Sequence, residues 1–108
     1  MKKIEHIGIA VANLDQANKL YSTILNSQPY RTETIETEGV ITSFFKCKDT
    51  KIELVQGIDE KSAISKFIKK RGEGIHHIAF EVDDIVSEIK RLKELGFEII
   101  NEKPKKGA

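Results

Sequence analysis

Apolar and polar residues alternate strictly through 3–11: Ile7, Ile9 and Val11 fall on one side of the run and His6, Gly8 and Ala10 on the other. A period of two is the side-chain repeat of an extended chain, so the spacing predicts a strand with one greasy face and one bare face. The period then changes. Ala17, Leu20, Tyr21 and Ile24 recur at three and four residues behind Asn13 and Asp15, two side chains suited to cap a helix start, and predict a helix laid over the greasy face. Extended runs at 30–37, 39–47 and 51–56, separated by Glu38-Gly39 and Asp49-Thr50, read as a three-strand meander. The first unit, 1–57, is therefore β-α-β-β-β.

A connecting segment at 58–74 carries Ala63, Ile64, Phe67 and Ile68 as a helical apolar stripe and closes at Gly72 and Gly74. The opening pattern then restarts at 75–108. Ile78, Phe80 and Val82 alternate with His77, Ala79 and Glu81, and Ile85, Ile89, Leu92 and Leu95 follow at helical spacing before Gly96 and an extended run "FEII" at 97–100. Aligning His6 with His77, 71 residues on, also aligns Ile7 with Ile78, Val11 with Val82, Leu14 with Ile85 and Ile24 with Leu95. This is an internal repeat by pattern and element order. The second unit has room for one strand after its helix where the first has three, so it reads as short by two strands.

At 108 residues the chain is one domain long, and 39% hydrophobic with 32% charged residues is ordinary globular composition. Lys+Arg 18 against Asp+Glu 17 leaves no overall field to attract nucleic acid or an anionic membrane. Cys47 is alone and can form no internal disulfide, the first twenty residues lack a signal-peptide pattern, and no apolar run approaches the roughly 18 residues of a membrane span. A cytoplasmic protein is the expectation. Two basic clusters, at 66–74 and 102–108, are solvated surface in the commoner reading and a steering patch for a polyanionic ligand in the sharper one.

A lone strand histidine is usually a satisfied core residue. Here the histidine recurs in register, its same-face neighbours are Gly8, Ala10 and Ala79, and Glu53 stands on the face opposite Ile52 and Leu54 in "KIELVQ". Two imidazoles and a carboxylate converging on one concave face suit a divalent first-row metal such as zinc, cobalt, nickel or manganese. If the repeat holds, a counterpart of Glu53 completes a site with open positions, as catalysis requires. His76 should turn away from His77 by strand alternation, as a core or helix-contact residue.

The segments "IEHIGIAV", "KIEL" and "GEGIHHIAFEVDDI" resemble the vicinal oxygen chelate superfamily, which includes glyoxalase I, ring-cleaving dioxygenases, fosfomycin resistance proteins and methylmalonyl-CoA epimerase. Within it, "TEGVITSFFKCKDTKIELVQ", "SAISKFIKKRGEGIHHIAFEVDDI" and "NEKPKKGA" are most similar to the epimerases. The resemblance implies an α+β fold of two βαβββ modules whose curved sheets join into a partly open barrel with helices outside. It also implies a homodimer and a divalent metal held by His6, Glu53 and His77, with a last glutamate beyond Ala108. The implied reaction interconverts the C2 epimers of methylmalonyl-CoA by α-proton abstraction through a metal-stabilised enolate. Some family members carry a glutamate where this chain has Thr42. Thr42 and Phe44 are then expected to face substrate, and proton transfer falls to Glu53 or to the glutamate beyond Ala108, since a threonine is a poor base. Lys69, Lys70, Arg71, Lys103, Lys105 and Lys106 become candidates for coenzyme A phosphates. A glyoxalase I-like lyase acting on a glutathione hemithioacetal, a metal-free binding protein of the resistance type, and a structural domain with incidental histidines remain open alternatives.

Overall fold

The structure, a computed structural model, describes residues 3–100. Five strands, β1 (Lys3–Ala10), β2 (Arg31–Ile35), β3 (Val40–Cys47), β4 (Thr50–Gly57) and β5 (Gly74–Glu81), form one sheet in the order β2-β3-β4-β1-β5. The meander β2-β3-β4 is antiparallel, as its short turns require, and β4 then lies parallel to β1 through the α1 crossover. The result is an open, curved, mixed sheet with three helices, an α+β fold as the resemblance implies.

Helix α1 (Leu14–Leu25) starts where Asn13 accepts a hydrogen bond from the Gln16 N–H at 3.0 Å, and ends at Asn26 in the left-handed region with φ 51°. It packs on the sheet face that carries Ile9, Ile41, Phe45, Ile52 and Leu54. Phe45 and Leu54 are both 0% exposed, and full burial of such side chains stabilises by roughly 1.5–3 kcal/mol each. The greasy face of β1 is thus covered by α1, as its periodicity predicts.

The opposite face is less bare than the pattern suggests. Helix α2 (Ala63–Arg71), capped by Ser62, lays Ile64, Phe67 and Ile68 against Ala10, Val40 and Val55. The small residue Ala10 admits a helix rather than leaving an empty cleft, and space for other chemistry begins further along β1, at Gly8 and His6.

The repeat has a direct structural expression. β1 and β5 pair antiparallel with Ile7 opposite Ile78, His6 opposite Ala79 and Gly8 opposite His77. The equivalent residues Ile7 and Ile78 face one another, and the pairs His6–Ala79 and Gly8–His77 on either side interchange under the repeat, so a local two-fold axis passes through the Ile7–Ile78 pair. Helix α3 (Ile85–Glu94) follows, its N-terminus capped by Asp84. The Ser87 N–H and hydroxyl, with the Val86 N–H, hold the Asp84 carboxyl below its usual range against the opposing effect of desolvation.

One expectation changes in this second unit. Phe97–Ile100 is not a strand, because an extended run becomes one only beside a hydrogen-bonding partner and none lies beside it among the described residues. The apolar faces of β5 and α3 are also incompletely covered: α3 has no buried residue, and Ile78, Phe80, Ile85 and Leu95 remain about half exposed or more. No helix of the described residues is long and apolar enough to cross a membrane.

Candidate metal centre

The sheet order is what assembles the candidate site. β1 sits between β4 and β5, with Gly8 level with Glu53 on one side and with His77 on the other. His6 lies two residues along β1 on the same face, so the three side chains converge although they are distant in sequence. His6 Nε2 lies 3.0 Å from His77 Nε2 and 3.5 Å from Glu53 Oε1, and His77 Nε2 lies 3.2 Å from the same oxygen. The two imidazoles meet edge to face at 89°.

Gly8 makes the approach possible. A Cβ built there would lie 2.1 Å from His77 Cε1, far inside van der Waals contact, so the His77 ring lies across the bare patch of β1. The absence of a side chain at position 8 is therefore occupied by a ligand candidate rather than left for substrate.

Two imidazole nitrogens and one carboxylate oxygen all lie within 4.8 Å of one another. Their separations match the edges of a coordination polyhedron with bonds of about 2.0–2.2 Å. Two nitrogen lone pairs directed at each other beside an anion repel unless a proton or cation lies between them. The donor set thus fits a divalent ion of the zinc, cobalt, nickel or manganese group. Glu53 and His6 side chains are 6% and 11% exposed and that of His77 is 38% exposed, so the cluster opens to solvent on the β5 side.

Outside the three donors, Glu5 Oε1 lies 2.9 Å from His6 Nδ1, and its other oxygen takes Lys51 Nζ at 2.8 Å. Partial burial pushes the Glu5 carboxyl up, but the hydrogen bonds of Lys51 and His6 prevail and hold it below its usual range. Lys51 is raised in turn, chiefly by its hydrogen bond to Glu5. His76 does not turn away from His77. The β1–β5 ladder steps from Gly8–His77 to Ile9–Ile75, so His76 is the extra residue of a bulge, alternation fails there, and its Nδ1 lies 3.0 Å from His77 Nδ1. Its ring also meets Phe67 of α2 edge to face at 4.9 Å, the helix contact expected of it. Desolvation, then the neighbouring His77, push the His76 imidazole below its ordinary value, with Glu53 opposing.

The other candidates are placed as follows. Phe44 pairs directly across from Glu53 and Thr42 across from Val55, on the face of the cluster, and each is only 1% exposed. The Thr42 hydroxyl makes a long contact, 3.4 Å, to the Glu33 carbonyl. Lys69, Lys70 and Arg71 form the exposed last turn of α2. Lys103, Lys105 and Lys106 lie outside the described residues. Glu5 was not among the sequence candidates, although it occupies the place in the first unit that His76 occupies in the second.

A curved mixed sheet with paired strand histidines and a carboxylate is the arrangement of the vicinal oxygen chelate fold. The chain belongs to the Glyoxalase/Bleomycin resistance protein/Dioxygenase superfamily, whose family model matches residues 5–108. Among its relatives, it is 38% identical over 107 residues to the mitochondrial methylmalonyl-CoA epimerase of Dictyostelium discoideum, spanning 98% of this chain and 64% of that protein. It is 32% identical over 108 residues to the uncharacterized Bacillus subtilis protein YqjC, spanning all of this chain and 77% of that one. A Streptomyces coelicolor methylmalonyl-CoA epimerase variant in complex with 2-nitronate-propionyl-CoA superposes with TM-score 0.93 at 30% identity, covering 100% of this chain and 79% of that one.

Proposed function

We propose that the protein is a metal-dependent epimerase that interconverts the C2 epimers of methylmalonyl-CoA. The observation that carries the reading is the convergence of His6 Nε2, His77 Nε2 and Glu53 Oε1 within 4.8 Å beside an opening to solvent. The epimerase relatives supply the substrate class. His6, Glu53 and His77 would hold a divalent ion, which would supply Lewis-acid polarisation of the thioester carbonyl. The partly exposed flank of His77 is the entry side.

The C2 proton lies between a carboxylate and a thioester and is correspondingly acidic. Its removal breaks the C2–H bond and delocalises the electron pair onto the thioester oxygen, and return of a proton to the opposite face inverts the centre. The Glu53 carboxylate takes the proton on one face. Delivery to the other face requires a second acid. Phe44, next to Glu53 across the ladder, excludes water from its neighbourhood. Thr42, buried two residues away, helps shape the acyl end of the site. Lys69, Lys70 and Arg71 meet the phosphates of the coenzyme.

The test is proton NMR of methylmalonyl-CoA in deuterium oxide with metal-stripped protein and with the same protein reloaded with cobalt. The C2 proton signal is expected to disappear only in the cobalt sample. Persistence of the signal with cobalt shown to be bound would reject the epimerase reading, and a glutathione hemithioacetal would be the next substrate. Failure to take up cobalt would instead favour a metal-free binding protein.

Lysine placement gives a separate expectation. Reversing Lys69 and Lys70 to glutamate should raise KM for the CoA thioester on the order of tenfold at low ionic strength, with kcat little changed and the effect shrinking as salt is added. An unchanged KM at low salt would remove α2 from the coenzyme contacts.

A further inference from the structure

The β1–β5 ladder contains two irregularities, and they are related by the same local two-fold as the histidines. Between Ile4–Phe80 and His6–Ala79 the ladder skips Glu5, and between Gly8–His77 and Ile9–Ile75 it skips His76. Glu5 and His76 are equivalent positions of the repeat, each immediately before a ligand candidate. In a regular strand the residue before a ligand points to the opposite face. An extra residue at each point bends the strand and lets the side chain of Glu5 or His76 swing to the flank of the histidine that follows it.

Both bulge residues then reach the same atom. Glu5 Oε1 lies 2.9 Å from His6 Nδ1, and His76 Nδ1 lies 3.0 Å from His77 Nδ1. With both Nε2 atoms directed into the cluster, each ligand ring must carry its proton on Nδ1, and a group that accepts from Nδ1 holds both tautomer and ring angle. Glu5 is such an acceptor and is itself anchored by Lys51 at 2.8 Å. His76 is one when its own proton sits on Nε2, and its ring is steadied against Phe67 at 4.9 Å.

We infer that Glu5 and His76 are positioning residues, paired by the two-fold and delivered by matching bulges, that orient His6 and His77 for the metal. The two supports are chemically unlike. A carboxylate anchored by a lysine makes His6 the more electron-rich ligand, whereas the neutral imidazole at 76 leaves His77 the weaker one, on the flank that opens to solvent. The inference rests on the metal-site reading.

The test is titration of the metal-free full chain with Co(II), followed by visible absorption, with thermal unfolding of the metal-free protein as the fold control. Glu5→Ala and His76→Ala are each expected to weaken Co(II) binding by about 10- to 100-fold, the usual effect of removing such a partner. His76→Asn, whose amide oxygen can accept from Nδ1, should recover most of the loss. His76→Phe, which keeps a ring against Phe67 but offers no acceptor, should not. Wild-type Co(II) affinity and spectrum in both alanine variants would overturn the inference, as would recovery by phenylalanine but not by asparagine. If the unsubstituted protein itself fails to bind Co(II), the metal-site reading falls and the inference with it.

Discussion

Replacing Glu53 by alanine is expected to lower Co(II) affinity by at least roughly 100-fold, more than the loss of an outer partner, because it removes the cluster's only anionic donor among His6, Glu53 and His77. The fold should survive the change, since the position of β4 is set by its ladders to β1 and β3 and by Ile52 and Leu54 under α1. Glu53→Gln divides the two roles proposed for the residue. It retains an oxygen donor while losing charge and basicity, so cobalt binding should weaken yet persist whereas C2 proton exchange is lost. Co(II) titration and the deuterium-exchange NMR assay read the two effects separately. Tight cobalt binding in the alanine variant would remove Glu53 from the ligand set. Exchange at the parental rate in the glutamine variant would assign proton removal to another group.

Gly8→Ala is the second large effect, and its sign is set by one distance. Alanine in place of a strand glycine of ordinary backbone geometry would normally stabilise slightly by restricting the unfolded chain. At Gly8 the added methyl would stand 2.1 Å from the His77 ring, and Gly8 itself is buried in a strand paired on both sides. Relief demands rotation of His77 out of the cluster or a shift of β5. The expected outcome is a cost of about 1–3 kcal/mol, as for other overpacked sites, together with loss of high-affinity cobalt binding. Thermal unfolding of the metal-free protein measures the first and Co(II) titration the second. In a His77→Ala background the same Gly8→Ala change should cost nothing measurable, because the clashing ring is gone. An equal cost in both backgrounds would show that the strain lies elsewhere.

Much of this was legible because it depends on local chemistry. The period-two run at 3–11 and the helical spacing after Asn13 place β1 and α1 within a residue or so of their observed limits, and Glu38-Gly39 and Asp49-Thr50 mark the turns of the meander. The three donors His6, Glu53 and His77 could be proposed because strand alternation names the face of each residue, and the repeat supplies the reason to expect the two histidines together. Phe97–Ile100 went the other way: its composition suits a strand, but pairing is a property of neighbours and not of the run itself.

The bare face of β1 shows the same limit. Small residues at 8 and 10 announce close approach, yet not by what. Ala10 receives α2, whereas Gly8 receives the His77 ring. His76 is the sharpest case, since strict alternation assigns it to the wrong side.

By itself, the amino-acid sequence determined the elements, the repeat, the small-residue patch and the three residue types able to hold a metal, because side-chain period, capping and turn chemistry act over a few residues. Only the tertiary structure decided that β1 lies between β4 and β5, that Ile7 and Ile78 meet on a local two-fold, and that matching bulges bring Glu5 and His76 to the rings of His6 and His77. Those outcomes rest on ladder register between segments up to 71 residues apart. A single skipped residue in that ladder reverses the facing of a side chain, and no local pattern records where the skip falls.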